Sequence, residues 1–139
     1  MDDHHRILIV EDNKADVHLL REAIDAAGIL ADLNVISDGE KAIEFIDQID
    51  KGNAPCPALV LLDLNLPRRT GSEILEYLRR SQRCHAALVL IVTSSDSEKD
   101  RAKTASLGAN GYFRKPSNYE AFLKVGEVMK KMLSTEPRH

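Results

Sequence analysis

The sequence predicts a doubly wound α/β fold, a parallel sheet with helices packed against both faces. Three observations predict it. Short apolar runs recur five times, each followed by a stretch whose apolar residues repeat at helical spacing. Two of the runs, LVLL at 59–62 and LVLIV at 88–92, are apolar throughout, as strands buried on both faces must be. At 139 residues the chain has the length of one ordinary domain with one core. Because crossovers between parallel strands are right-handed, such an alternation closes compactly as a sheet covered on both sides.

Taken in order, the first strand is RILIV at 6–10, which runs straight into the polar loop EDNKAD. Val17, Leu20, Ala23, Ile24 and Ala27 then fall on one face of a helix that Gly28 stops. Leu33, Val35 and Ile36 predict a second strand closing at Asp38-Gly39, and Ala42, Ile43, Ile46 and Ile49 line a second helix. The breaker-rich KGNAPCP precedes the third strand, and Ile74, Leu75 and Leu78 mark a third helix after Gly71. The fourth strand leads to a helix ending near Gly108, with Ser97 and Asp100 spaced as a capping box at its start. Tyr112 and Phe113 mark a short fifth strand. Ser117 and Glu120 repeat the box ahead of one final helix carrying Phe122, Val125, Val128, Met129 and Met132. That Met and aromatic stripe reads as core packing. No repeat, linker or low-complexity segment interrupts the alternation, so the expectation is a single domain over 1–139 with its core over about 6–133.

Composition excludes several classes. A hydrophobic fraction of 43% and a charged fraction of 29% are ordinary for a globular domain. The net charge of -3, with Lys and Arg spread along the chain, gives no footprint for nucleic acid. No apolar stretch reaches the length of a membrane span, and the polar start MDDHHR is no signal peptide, so a cytoplasmic protein without membrane contact is expected. Cys56 and Cys84 form no CxxC motif and have no His at zinc-site spacing, and in a reducing compartment they are expected to be free thiols. His4 and His5 read as an exposed, solvated pair near the terminus.

In parallel sheets of this kind functional groups gather at the carboxyl ends of the strands. The first strand delivers Glu11 and Asp12 there, the third Asp63, the fourth Thr93 and Ser94, and the fifth Lys115-Pro116. A polar residue at one strand end is ordinarily a solvated loop start. Three carboxylates, a hydroxyl and an ammonium at one edge are harder to explain that way. Clustered carboxylates repel, and a hard divalent cation such as Mg2+ relieves the repulsion while keeping some of its waters. A site with that metal, a free carboxylate, a lysine and a hydroxyl is equipped for phosphoryl chemistry, with Asp63 as the group that attacks phosphorus.

At these residues the chain resembles the receiver domains of two-component response regulators. The resemblance spans about Arg6 to Leu133 and rests on ILIVEDN, LLDLNLPRRTG, IVTSS and GYFRKP in that order and spacing. It implies a (βα)5 flavodoxin-like sandwich with strand order 2-1-3-4-5. It implies that Asp63 is the phosphoacceptor, that Glu11, Asp12 and Asp63 with the backbone carbonyl of Asn65 hold Mg2+, and that Lys115 binds the phosphoryl group. It makes Thr93 the switch hydroxyl and Tyr112 the switch aromatic, and the Lys115-Pro116 bond cis. The loop KGNAPCP and the block DLNLPRRTG further resemble small stand-alone receivers partnered with bacterial phytochrome histidine kinases, although KKMLSTEPRH lacks the aromatic pair of their last helix. The implied partners are a sensor histidine kinase of phytochrome type, a downstream protein target and a second copy of the chain. Met1 and the tail from Ser134 read as natural ends with no output domain, so signalling by protein contact in a phosphorelay is expected rather than enzymatic turnover.

Two rivals fit less well. A haloacid-dehalogenase-type phosphatase needs a second Asp two residues after the nucleophile, and Asn65, which stands there, cannot donate and recover a proton. A phosphorylation-independent pseudo-receiver would have lost Asp63, Lys115 or the acidic pair, and none is lost.

Overall fold

The computed structural model describes residues 4–135; the expectations placed on residues 1–3 and on the tail 136–139 lie outside them. Five strands, β1 (His5–Val10), β2 (Ala31–Ile36), β3 (Leu59–Leu62), β4 (Leu88–Thr93) and β5 (Gly111–Arg114), form one sheet in the order β2-β1-β3-β4-β5. Every pairing is parallel, with Ile7 against Leu33 on one side and Leu59 on the other. The expected flavodoxin-like topology is therefore present. The helices are α1 (Lys14–Ala26), α2 (Gly39–Asp50), α3 (Gly71–Arg79), α4 (Glu98–Ser106), α5 (Tyr119–Leu123) and α6 (Val125–Thr135).

The period-2 alternation of the strands sorts their side chains onto two cores. Leu8, Val10, Val60, Leu62, Val89 and Ile91 point to the face covered by Ala42, Ile46 and Ile49 of α2 and Ile74, Leu75 and Leu78 of α3. Ile7, Ile9, Leu59, Leu61, Leu90 and Val92 point to the other, covered by Leu20, Ala23 and Ile24 of α1 with Phe122, Val125, Met129 and Leu133 of α5 and α6. Ile7 to Val10 of β1 and all of β3 are buried on both faces, which is why these runs carry no polar residue until the strand ends. At the sheet edge β2 alternates between half-buried and exposed positions, leaving Val35 exposed.

Several expectations change. Cys56 and Cys84 are not free thiols: their Cα atoms lie 5.6 Å apart and the pair forms a disulfide. The cause is tertiary. Parallel pairing of β3 with β4 sets the residues just before each strand side by side at the amino edge of the sheet, a proximity that a separation of 28 residues does not announce. The Lys115–Pro116 bond is trans, the isomer an X-Pro bond intrinsically prefers by about 0.5–1 kcal/mol. The final helix is capped by Asn118, whose side chain accepts the Ala121 N–H at 2.9 Å, and not by Ser117. An Asn side chain accepts that bond as readily as a Ser hydroxyl, so the Ser-Glu spacing was misleading. The same helix divides at Lys124, where Gly126 approaches α1 so closely that a Cβ would lie 2.3 Å from the Ala23 carbonyl. Ser97 does cap α4, but Asp100 completes no box there; its carboxylate accepts the Ser95 hydroxyl at 2.6 Å.

Among the described residues no helix is long and apolar enough to cross a membrane.

Candidate functional site

Three backbone hydrogen bonds extend the sheet one residue past its strands and set three site residues in line. The Glu11 N–H donates to the Ile36 carbonyl, the Asp63 N–H to the Val10 carbonyl, and the Lys115 N–H to the Thr93 carbonyl, at 3.0, 3.1 and 2.7 Å. Asp63 is thus an extension of β3, which explains how a carboxylate ends so apolar a run. Behind it, α3 begins against the Asp63 main chain. The Gly71 N–H donates to the Leu64 carbonyl at 3.0 Å, and a Cβ at Gly71 would sit 2.3 Å from the Asp63 carbonyl oxygen. Only glycine permits that approach. The helix it opens is held by a full capping box between Thr70 and Glu73.

Carboxylate oxygens of Glu11, Asp12 and Asp63 all lie within 4.8 Å of one another. Glu11 is 2% exposed and Asp63 6%, while Asp12 faces solvent. Burial pushes the Glu11 carboxyl up to about 7, with repulsion from Asp63 adding to it and the Lys115 ammonium opposing. Lys115 reaches in from the end of β5. Its Nζ donates to Glu11 Oε1 at 2.7 Å, to Asp16 Oδ2 at 2.8 Å and to Asp63 Oδ2 at 3.4 Å. Burial works against its charge, yet the bonds to Asp16 and Glu11 and the field of Asp63 prevail and raise its pKa.

Asp16 was not foreseen as a site residue. The signal was present in EDNKAD, where Asn13 and Asp16 have the spacing of a helix cap and its third helical residue. The Asn13 side chain accepts the Asp16 N–H at 3.0 Å, as a cap should. The reciprocal bond of a capping box is missing because Glu11 Oε2 accepts the Asn13 N–H at 3.1 Å. With that donor taken, the Asp16 carboxylate turns to Lys115.

The other expected residues are held by separate hydrogen bonds. The Asn65 N–H lies 3.4 Å from Asp63 Oδ1, and its side chain is exposed. Thr93 is fully buried, and its Oγ1 accepts a long bond from the Ser95 N–H at 3.4 Å. Tyr112 pairs with Ile91 in the sheet, two residues short of the strand end. Its half-buried ring packs on the α2–α3 core, its hydroxyl donates to the Ser95 carbonyl at 2.9 Å, and the Arg101 guanidinium lies 4.3 Å from the ring centre.

As a donor set, three carboxylates on adjacent strand ends fit a hard divalent cation that accepts oxygen ligands. An ammonium shared with Asp63 adds a second positive charge beside one of those carboxylates. The combination can neutralise an anion placed on Asp63.

Residues 7–126 match the response regulator receiver domain. Among proteins, the chain is 34% identical over 124 residues to "Probable methanogenesis regulatory protein FilR2" of Methanothrix harundinacea, covering 89% of this chain and 80% of that one. It is 35% identical over 120 residues to "Response regulator Rcp1" of Synechocystis, covering 86% and 82%. The crystal structure of a Mn(2+)-bound form of response regulator Rcp1 superposes with a TM-score of 0.85 at 32% identity, covering 97% of this chain and 99% of the other. That of the phosphorylated cyanobacterial phytochrome response regulator RcpA superposes with a TM-score of 0.86 at 29% identity, covering 97% of each. This chain therefore belongs to the response regulator receiver domain family.

Proposed function

We propose that Asp63 accepts a phosphoryl group from a sensor histidine kinase and that the acyl phosphate so formed changes which proteins the domain contacts. The observation that carries this reading is the meeting of Glu11, Asp12 and Asp63 within 4.8 Å, with the Lys115 ammonium 3.4 Å from Asp63. In the transfer, an Asp63 oxygen forms a bond to phosphorus as the donor's P–N bond breaks, and the donor histidine nitrogen keeps the electron pair. Glu11, Asp12, Asp63 and the Asn65 backbone carbonyl would hold Mg2+, which when bound supplies charge neutralisation for the phosphoryl oxygens. Lys115 bonds one phosphoryl oxygen and the Thr93 hydroxyl another. Water later cleaves the acyl phosphate and returns Asp63 to its starting state, so the domain is a reversible signal carrier.

The likeness to the phytochrome response regulator RcpA supports a phytochrome-type kinase as the donor. The output runs through Thr93 and Tyr112, which read the state of Asp63 at the surface formed by α4, β5 and the final helical segment (α5 and α6), where a target or second copy docks. The receiver signals by protein contact.

Incubation with acetyl phosphate and Mg2+ tests the core of this reading. Intact mass should rise by one phosphoryl group, and Asp63→Asn should abolish the gain. Full labelling of that variant would overturn the assignment.

A further inference from the structure

The three protons of the Lys115 ammonium are all committed. They go to Glu11 at 2.7 Å, Asp16 at 2.8 Å and Asp63 at 3.4 Å, so the two short bonds draw the ammonium toward β1 and α1 and away from Asp63. An ammonium has three donors and no more. A phosphoryl oxygen on Asp63 can take one only if a present partner lets go.

The partners are unequal in what release leaves behind. The Glu11 side chain is 2% exposed, and losing Lys115 would strand a buried carboxylate. The Asp16 side chain is 22% exposed and can exchange the ammonium for water. Asp16 is also held independently of Lys115, because its backbone N–H is fixed by the Asn13 cap in the first turn of a 13-residue helix. It is anchored, charged and partly wet, the properties of a partner that can both grip and release.

We infer that Asp16 is a positioning residue that withholds Lys115 from Asp63 and competes with the phosphoryl group for it, setting how readily the site accepts and keeps an anion. This rests on Asp63 being the phosphoacceptor. Asp16 touches no reacting atom; it acts through Lys115 alone, and that restriction makes the inference testable.

The test is a double-mutant cycle on the affinity for beryllofluoride at saturating Mg2+, measured by fluorine NMR on the full chain. Asp16→Asn and Asp16→Ala, each checked by circular dichroism, should tighten binding by about tenfold in the parent background, within the range of ordinary coupling between sites. In a Lys115→Ala background the same substitutions should change affinity by less than about twofold. Asp16→Glu, which keeps the charge, should stay near the parent. The Lys115 side-chain nitrogen signal should also move in Asp16→Asn before any anion is added. Equal tightening in both backgrounds would show only a through-space charge effect, and unchanged or weaker binding would show that Asp16 does not withhold the ammonium; each overturns the inference. A parent protein that fails to bind beryllofluoride at all would instead remove the phosphoacceptor reading beneath it.

Discussion

Replacing Lys115 with Ala should destabilise the metal-free protein, and magnesium should then stabilise the variant more than the parent. The ammonium makes three carboxylate contacts at 2.7, 2.8 and 3.4 Å. At an effective dielectric of about 20 each is worth roughly 5–6 kcal/mol of Coulomb energy, most of it offset by desolvation of the ions. What removal costs is set instead by the charges left behind. Breaking a buried pair from one side costs about 3–5 kcal/mol. Part of that is recovered here because Glu11, already pushed up to about 7 by burial, can take a proton near neutrality. A net loss of about 2–3 kcal/mol follows. With an unfolding entropy of about 2.1 cal/mol/K per residue, a chain of 139 residues should melt roughly 7–10 °C lower while remaining folded at 25 °C. Magnesium then finds Glu11 and Asp63 without a competing ammonium, so its mass-action stabilisation grows. Differential scanning calorimetry of both proteins with and without magnesium reads all four numbers. A variant that melts within about 2 °C of the parent, or a smaller magnesium shift in the variant, would refute the account.

Two further outcomes follow, one from the burial of Glu11 and one from the disulfide. Glu11 has an ordinary value of 4.5 raised to about 7, so between those values the folded state holds a proton that the unfolded state has lost, and stability falls as pH rises. Glu11→Gln lacks this term. In metal-free chemical denaturation its advantage over the parent should grow by up to about 3 kcal/mol from pH 5 to pH 8, and parallel curves would rule the burial effect out. The Cys56–Cys84 disulfide closes a loop of 28 residues containing β3 and α3, and reducing it should cost about 3–4 kcal/mol, or roughly 10–14 °C in melting temperature. A Cys56→Ser, Cys84→Ser protein that melts with the oxidised parent would deny the crosslink any role in stability.

What the sequence made legible was whatever depends on position along one strand or one helix. LVLL and LVLIV announced strands buried on both faces because burial on both faces forbids polar side chains, and the structure carries Leu59 to Leu62 and Val89 to Val92 inside. Glu11, Asp12, Asp63 and Lys115 were legible because a parallel sheet must send its strand ends to one edge, and the described geometry does bring these four together. What stayed hidden depends on which group wins a contested partner. Asn118 displaced Ser117 as a cap because either side chain can accept the same bond. Ser95 took the carboxylate of Asp100, and Glu11 took the N–H that would have bound Asp16 to its own cap. The disulfide depended on the register of β3 against β4.

These contests give a physical answer to why a carboxylate sits at the end of LVLL. Asp63 is tolerated there because its backbone is satisfied by Val10 and its charge is met by Lys115. The neutralisation is incomplete, however. One ammonium serves three carboxylates, and it stands nearest the two that are not Asp63. A cluster left with excess negative charge weakens the folded state, and any cation added at that edge recovers stability. The same deficit keeps Asp63 the least well paired of the three partners of Lys115, hence the carboxylate most free to bond elsewhere. In this domain the electrostatic cost of the site and the weak pairing of Asp63 have one origin, the unequal sharing of a single lysine.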